Sequence, residues 1–298
     1  MNVSRLGALA LETAPRFWER FSQDYKRSIV AAPHRPNPAL WDEVGLHAAW
    51  LGHSTVLLKI EGVTIITDPV FSSRVGLNFG PLTLGLKRIV APALLRQEIP
   101  QPDIVLLSHA HMDHFDIPSL RALESSRTAV VTASKTSDLL AVRNYGRVQE
   151  LAWGEEVRLE DVTVRAFQVN HWGARMRSDT FRGFNGYVIE TSRHRVLFGG
   201  DTAVTDSFRS VRTPRGIDLA IMPIGAYNPW IRAHCTPEQA LRMAEDAGAD
   251  CVLPVHHQTF QLSNESYLEP IERLVAAAGN RPERVALTSI GQEFHFTR

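Results

Sequence analysis

The sequence predicts an α/β protein built as an αββα sandwich, two mixed sheets packed face to face with helices outside. Three observations lead there. Strand-type runs fall into two β-rich halves, each finished by helical patterns; several apolar runs end directly in His or Asp; and no linker-like composition interrupts residues 50–298. Residues 50–298 therefore read as one domain, and residues 1–49 as an N-terminal extension packing on it.

At 298 residues the chain is long enough for a large core. Lys plus Arg and Asp plus Glu number 32 each, so no global basic field argues for nucleic acid and no acidic excess argues for disorder. A charged substrate must then be attracted locally. The two cysteines, Cys235 and Cys251, form no Cys-x-x-Cys pair, which points to a reducing, cytoplasmic setting without a disulfide framework. The apolar patch at residues 6–11 ends at Glu12 and is soon followed by Arg16, Glu19 and Arg20. It is too short and too quickly charged for a membrane span or a good signal peptide, so an amphipathic helix is expected, packing on the body or touching a membrane peripherally.

Taken in order, Pro33, Pro36 and Pro38 mark an extended connector, and Trp50-Leu51-Gly52-His53 opens the body. Two β-rich runs, residues 56–60 and 63–67, flank the turn Glu61-Gly62 as a hairpin that Asp68-Pro69 ends. In residues 71–102, Val75, Leu77, Phe79, Leu82, Leu84 and Leu86 are interleaved with Gly76, Gly80, Pro81 and Gly85 without a clean period, which reads as an irregular lid or binding loop. Residues 104–107 form a buried strand, Asp116 caps a helix through Leu123, residues 129–131 are a strand, and residues 135–143 are expected as a helix. Residues 162–169 alternate as a strand, and 187–190 with 196–198 make a hairpin around Ser192-Arg193-His194. A strand at 218–223 precedes a helix opened by the capping box Thr236-Pro237-Glu238-Gln239 and stopped by Gly248. A strand at 251–255, a helix marked by Tyr267, Leu268, Ile271, Leu274 and Val275, and strands at 285–287 and 294–296 close the chain.

Chemistry concentrates in Ser108-His109-Ala110-His111-Met112-Asp113-His114, directly after the strand at 104–107. Imidazole and carboxylate donors this dense suit zinc and its first-row neighbours. Alternate residues of an extended segment point the same way, so His109 and His111 can aim at one ion while Asp113 and His114, where the chain turns, serve a second. Three further ligand-type residues end apolar runs: His171, Asp201 and His256. Such convergence from distant strand ends is what a binuclear site requires. His234, in Ala233-His234-Cys235-Thr236-Pro237, stands just before the helix cap, and Arg175, Arg177 and Arg182 follow His171.

His-x-His-x-Asp-His followed by single His, Asp and His positions resembles the metallo-β-lactamase superfamily. Further stretches resemble the N-acylphosphatidylethanolamine-specific phospholipase D branch: Trp50-Leu51-Gly52-His53-Ser54-Thr55, Thr67-Asp68-Pro69-Val70-Phe71-Ser72-Ser73-Arg74, Phe198-Gly199-Gly200-Asp201-Thr202, Pro223-Ile224-Gly225-Ala226-Tyr227 and Tyr267-Leu268-Glu269-Pro270. The likeness runs over roughly residues 30–296. It implies the metallo-β-lactamase type of αββα sandwich, with His109, His111 and His171 on one zinc, Asp113, His114 and His256 on the other, and Asp201 bridging; iron or manganese could substitute. It also implies a binuclear hydrolase using a metal-bridging hydroxide on an anionic small-molecule or lipid ester, most readily a phosphodiester, with His234 beside the scissile group, His53 in a supporting role, and Asp113, Asp201 and His234 as the catalytic set. His257 departs from that branch and places substrate identity in doubt. Two other readings stand beside it: a lactonase or carboxylic ester hydrolase similar to L-ascorbate-6-phosphate lactonase, and a non-catalytic metal-binding or redox-sensing protein. No nucleic-acid partner is expected, and an oligomer is compatible with the chain.

Overall fold

The hairpin expected from two β-rich runs around Glu61-Gly62 forms, and both sheets grow from pairings of this kind. The computed structural model describes residue 24 and residues 26–79, 82–140, 144–176 and 178–296. The expected N-terminal helix, Arg177 and the end of the helix expected at 135–143 lie outside them. The elements are β1 (Leu46–Gly52), β2 (Thr55–Ile60), β3 (Val63–Thr67), β4 (Arg74–Phe79), β5 (Leu82–Lys87), β6 (Ile104–Leu107), α1 (Ile117–Leu123), β7 (Ala129–Ala133), β8 (Arg147–Leu151), β9 (Glu156–Leu159), β10 (Val162–Phe167), β11 (Gly186–Glu190), β12 (Arg195–Phe198), β13 (Ile217–Pro223), α2 (Pro237–Ala247), β14 (Ala249–Val255), α3 (Glu269–Ala278) and β15 (Glu293–Phe296).

One sheet has the order β15-β1-β2-β3-β6-β7-β8 and the other β14-β13-β12-β11-β10-β9. Both are mixed. In the first, β3, β6, β7 and β8 run parallel while β15, β1, β2 and β3 pair antiparallel. In the second, β12, β13 and β14 run parallel and the rest pair antiparallel. Following these directions, β1, β3, β6, β10, β12, β13 and β14 all point their C-terminal ends toward one pole, where open α/β sheets place ligands.

Alternation along β13 shows how the layers are made. Leu219 and Ile221 pack into the core between the sheets, while Ala220 and Met222 face Ala240, Leu241, Ala244 and the α3 residues Ile271 and Leu274. Both faces are covered, which is why the strand reads as an unbroken apolar run after Asp218. Truncating one of these inward residues to alanine would cost about 2–5 kcal/mol.

Local chemistry sets the helix limits. Asp116 accepts from Ser119 N at 3.3 Å to start α1. In the capping box of α2, Gln239 N donates to Thr236 Oγ1 at 3.4 Å and Thr236 N to Gln239 Oε1 at 2.9 Å; Gly248, with φ of 79°, ends the helix.

Three expectations change. Residues 71–102 are not irregular throughout: β4 and β5 form a two-stranded sheet of their own. At residues 135–140 only a 3₁₀ turn, Ser137–Leu139, replaces the expected helix. Lys135 is left-handed there (φ 58°), and the Glu150 carboxylate takes the N–H groups of Lys135, Thr136 and Ser137 at 2.8, 3.0 and 2.9 Å. That carboxylate organises the turn without a continuing helical ladder. Residues 285–287 contribute only an isolated bridge, Val252 to Val285.

Thr236→Ala removes one half of the α2 capping box. It is expected to cost about 1 kcal/mol, lowering Tm by about 2–4 °C in thermal unfolding, without changing metal content.

Candidate metal centre

Seven strand ends deliver the site. β1 leads to His53, β3 to Asp68, β6 to residues 108–114, β10 to His171, β12 to Asp201, β13 toward His234 and β14 to His256. The backbone is forced to turn sharply as it leaves the sheets: His53, Asp68, Ala226, His256 and Gln258 all have positive φ. Such conformations in non-glycine residues are costly and collect at functional sites. Gly200, at φ 57°, has no room for a side chain, since a Cβ would lie 2.8 Å from Asn185 O and 2.9 Å from Ser108 Cβ. That close approach brings Asp201 against the residue 108–114 loop.

Two groups of side chains form. Ligand atoms of His109, His111, His171 and Asp201 lie within 4.8 Å of one another, as do those of His53, Asp113, His114 and His256. Asp201 joins the two, its Oδ2 lying 3.1 Å from both His114 Nε2 and His256 Nε2, 3.8 Å from His171 Nε2 and 4.0 Å from His109 Nε2. Asp113 Oδ2 lies 3.7 Å from His114 Nε2 and 3.6 Å from His256 Nε2. The structure thus brings His109, His111, Asp113, His114, His171, Asp201 and His256 together. His234 stands beside them, its Nδ1 3.9 Å from Asp201 Oδ2.

Proton accounting decides which way these imidazoles face. The His171 Nδ1–H donates to Ala233 O at 2.8 Å and the His114 Nδ1–H to Asp68 Oδ2 at 2.7 Å, because neither acceptor can donate. Ser108 Oγ donates to Asp68 Oδ2 at 2.5 Å, so it accepts from His109 Nδ1, 2.8 Å away. Each of these rings therefore turns its Nε2 to the centre, the arrangement in which an outer acceptor fixes a metal-binding histidine. The buried His114 Nε2, His256 Nε2 and Asp201 Oδ1 have no hydrogen-bond partner. His111 Nδ1 lies 2.8 Å from His109 Nε2 and 3.3 Å from His171 Nε2. Nitrogens sharing one tetrahedral zinc at bonds of about 2.0–2.1 Å would sit about 3.3 Å apart, so the donor set fits such an ion.

Electrostatics supports the same fit. Burial works against the charged forms, but His114 and His256 hold the carboxyl of Asp201 well below the usual range, and Asp113 is also held well below it, chiefly by His114. Burial likewise opposes the charge on His114 and His256, yet the two carboxylates outweigh it, raising His114 well above its ordinary value and His256 to about 9. The carboxylates demand positive charge, which protons or metal cations can supply. His234 is pushed down to about 4 by burial, against the pull of Asp201, and is neutral at pH 7.

Asp68 is the functional residue that sequence reasoning passed over. Fully buried, it accepts from Ser108 N at 2.7 Å, from Ser108 Oγ and from His114 Nδ1. One carboxylate thus orients His114 directly and His109 through a hydroxyl, one histidine in each group. The sequence offers two signals, an Asp ending a strand and its place in the stretch Thr67-Asp68-Pro69 that resembles the phospholipase D branch, and neither assigns it a role. His53 Nε2 lies 3.1 Å from Asp113 Oδ2, among the donors of the second group. His257 stacks on Trp50, ring centres 4.5 Å apart, rather than joining the donors. Arg175 does not wait for phosphate: its Nη1 donates to Ala110 O and Phe115 O at 3.1 and 2.8 Å, stapling both ends of the ligand loop. Arg182 is engaged by Asp138 and Asp179.

Residues 63–257 match the family model of the β-lactamase superfamily domain. The chain belongs to the metallo-β-lactamase superfamily. Within it, an uncharacterized protein of Mycobacterium tuberculosis is 34% identical over 289 residues, 92% of this chain and 76% of that one. The N-acyl-phosphatidylethanolamine-hydrolyzing phospholipase D 1 of Caenorhabditis elegans is 31% identical over 250 residues, 78% of this chain and 69% of the relative. The structure of an isothiocyanate hydrolase from Delia radicum gut bacteria superposes with a TM-score of 0.67 at 16% identity, over 84% of this chain and 99% of that one, a likeness of fold alone. The chain is a metal-dependent hydrolase of the metallo-β-lactamase fold.

Two outcomes follow from the donor network. Asp68→Asn should weaken metal binding about 10–100-fold in a competition titration against a chromogenic chelator; unchanged affinity would contradict its orienting role. In the metal-stripped protein, the raised His256 stabilises the fold fully below about pH 6.5, and this contribution is lost as pH rises through about 9. Its Tm should therefore fall from pH 7 to pH 9.5, and saturating zinc, which needs the imidazoles deprotonated, should flatten or reverse that trend.

Proposed function

We propose that the chain is a binuclear, zinc-dependent phosphodiesterase acting on a lipid-like or other anionic phosphodiester. The observation that supports this most is the donor set itself, seven side chains converging on a buried centre in which only two, Asp113 and Asp201, are anionic. Two dications held there would outweigh those two carboxylates and the buried Asp68 behind His114, and the surplus positive charge favours an anionic diester over a neutral ester. The resemblance to the nematode phospholipase D adds support for the lipid class.

His109, His111 and His171 would hold one ion, Asp113, His114 and His256 the other, and Asp201 both. Bound there, the ions supply a water of lowered pKa as nucleophile and neutralise charge on the phosphoryl oxygens. The chain's own residues do the rest. Asp68, Ser108 and Ala233 O keep three imidazoles in the binding tautomer, and Arg175 holds the ligand loop closed against its strand. His234, neutral at pH 7, serves as a hydrogen-bond donor to an oxygen of the scissile group.

Purified, zinc-loaded protein should turn over a chromogenic phosphodiester and N-acylphosphatidylethanolamine, lose both activities to chelator and regain them with zinc. Asp201→Ala should abolish turnover in a folded chain, and His234→Ala should lower kcat by about 10²–10³-fold. No metal-dependent turnover of either substrate would refute the proposal, and hydrolysis of a lactone panel without phosphodiester cleavage would favour the lactonase reading.

A further inference from the structure

Between β13 and α2 the chain crosses the metal pole in a loop, residues 224–236, that carries His234 near its far end. Two groups of this loop reach the donors. Ala233 O accepts the His171 Nδ1–H at 2.8 Å, and the His234 ring stands 5.2 Å from those of both His171 and His256, centre to centre. The His234 Nδ1 is buried there without a hydrogen-bond partner. The turn that presents both groups closes on itself: Trp230 O accepts the N–H groups of Ala233 and His234 at 2.9 and 3.0 Å. Its crown, Trp230, Ile231 and Arg232, is exposed, so the body of the protein locates the turn through the loop's two ends. The buried Cys235 marks the exit, its Sγ 3.4 Å from Pro223 O.

Glu265 holds the entrance. It lies between His256 and α3, is only 6% exposed, and takes the Tyr227 N–H on Oε1 at 3.2 Å and the Asn228 N–H on Oε2 at 3.3 Å. Beside them Asn264 N donates to Asn228 O at 2.9 Å. Among the described residues no ion pair balances Glu265, so these two amides are what satisfies a carboxylate taken out of water. The residue type matters, because glutamine has one acceptor oxygen and its NH2 would face the second N–H. Just upstream the backbone has no slack. Ala226 is left-handed at φ 63°, and a Cβ on Gly225 would lie 2.2 Å from His256 O. A second tie holds the Tyr227 side chain, whose hydroxyl donates to Glu269 Oε1 at 2.7 Å.

We infer that Glu265 is a positioning residue for the metal pole: by holding the Tyr227 and Asn228 amides it places the 230–234 turn, and through that turn both the His234 imidazole and the carbonyl that fixes the His171 tautomer. It acts through the backbone rather than on substrate. The part His234 plays in turnover rests on the phosphodiesterase reading; the placing of the turn does not. Misplacing a reacting or stabilising group by about 1 Å can cost about 10²-fold in rate, so a loosened entrance is felt in catalysis. An effect exerted through His234 also has a signature that a loss of stability lacks. Once the imidazole is gone, removing Glu265 has nothing left to misplace, and the two losses do not multiply.

The test compares the full-length wild type with Glu265→Gln, His234→Ala and the Glu265→Gln/His234→Ala double variant. In hydrogen–deuterium exchange of the zinc-loaded chains, the amides of residues 227–234 should exchange at least about tenfold faster in Glu265→Gln, while those of β13 keep their rate. In competition with a chromogenic chelator, that variant should hold one of its zinc ions about tenfold less tightly. At saturating zinc its kcat on a chromogenic diester should fall about 10–100-fold with KM within about twofold, and the double variant should be no more than about twofold slower than His234→Ala. If Glu265→Gln does not fold, Glu265→Asp, which keeps both oxygens one methylene short, carries the same comparisons. Unchanged exchange at 227–234 overturns the proposal, as does a wild-type kcat in Glu265→Gln. So do losses that multiply in the double variant, which would make the effect of Glu265 independent of His234. A wild type that cleaves no diester refutes the phosphodiesterase reading alone: faster exchange with weaker zinc binding in Glu265→Gln would still support the positioning role, and the absence of either would overturn it.

Discussion

Everything at the functional pole answers to carboxylates that the fold carries out of water, Asp113 and Asp201 at the centre and Asp68 behind His114. Asp201 is buried and Asp113 largely so, and an unpaired carboxylate in such surroundings costs several kcal/mol. Imidazoles surround them, but those of His109, His114 and His171 have already given their N–H to Ser108, Asp68 and Ala233. What they turn inward is Nε2, a lone pair wherever no proton is held. A pole of carboxylates and lone pairs is balanced by cations, and the raised pKa values of His114 and His256 are the protein's own substitute, protons held where metal would be held.

The sheets make this concentration of donors affordable in conformational terms. Both are mixed, yet β1, β3, β6, β10, β12, β13 and β14 run the same way, so seven loops leave one pole without any strand reversing its packing. Apolar residues on both faces of β13 anchor the layers, and the strain of left-handed His53, Asp68 and His256 is carried by that rigid support.

Much of this was legible in the sequence. The motif at residues 109–114 announces itself, because four ligand types within six positions after an apolar strand have few other uses. His171, Asp201 and His256 were legible as polar residues closing apolar runs. Asp68 closes a run in the same way, yet its meaning lies in Ser108 and His114, 40 and 46 positions away, and no local pattern carries that. Strands β8 and β9 were missed for a different reason. They are the outer edges of the two sheets, where β8 is largely solvent-facing and β9 alternates over only four residues. In the β4–β5 hairpin, period-two leucines were present, but opposed glycines at 76 and 85 broke the polar half of the alternation. Arg175 was legible as a cation near the site; only the fold reveals that two carbonyls of the ligand loop have claimed it.

A donor-rich centre links the fold to a reaction type: its buried carboxylates require cations, cations lower the pKa of a bound water, and the same cations favour an anionic ester. The first link bears the others, and native mass spectrometry of the zinc-loaded chain tests it most directly. The account predicts two zinc ions per folded chain, each lost as its ligands take up protons when pH is lowered. A folded chain that takes up less than one ion, even with zinc in excess at pH 8, would contradict it.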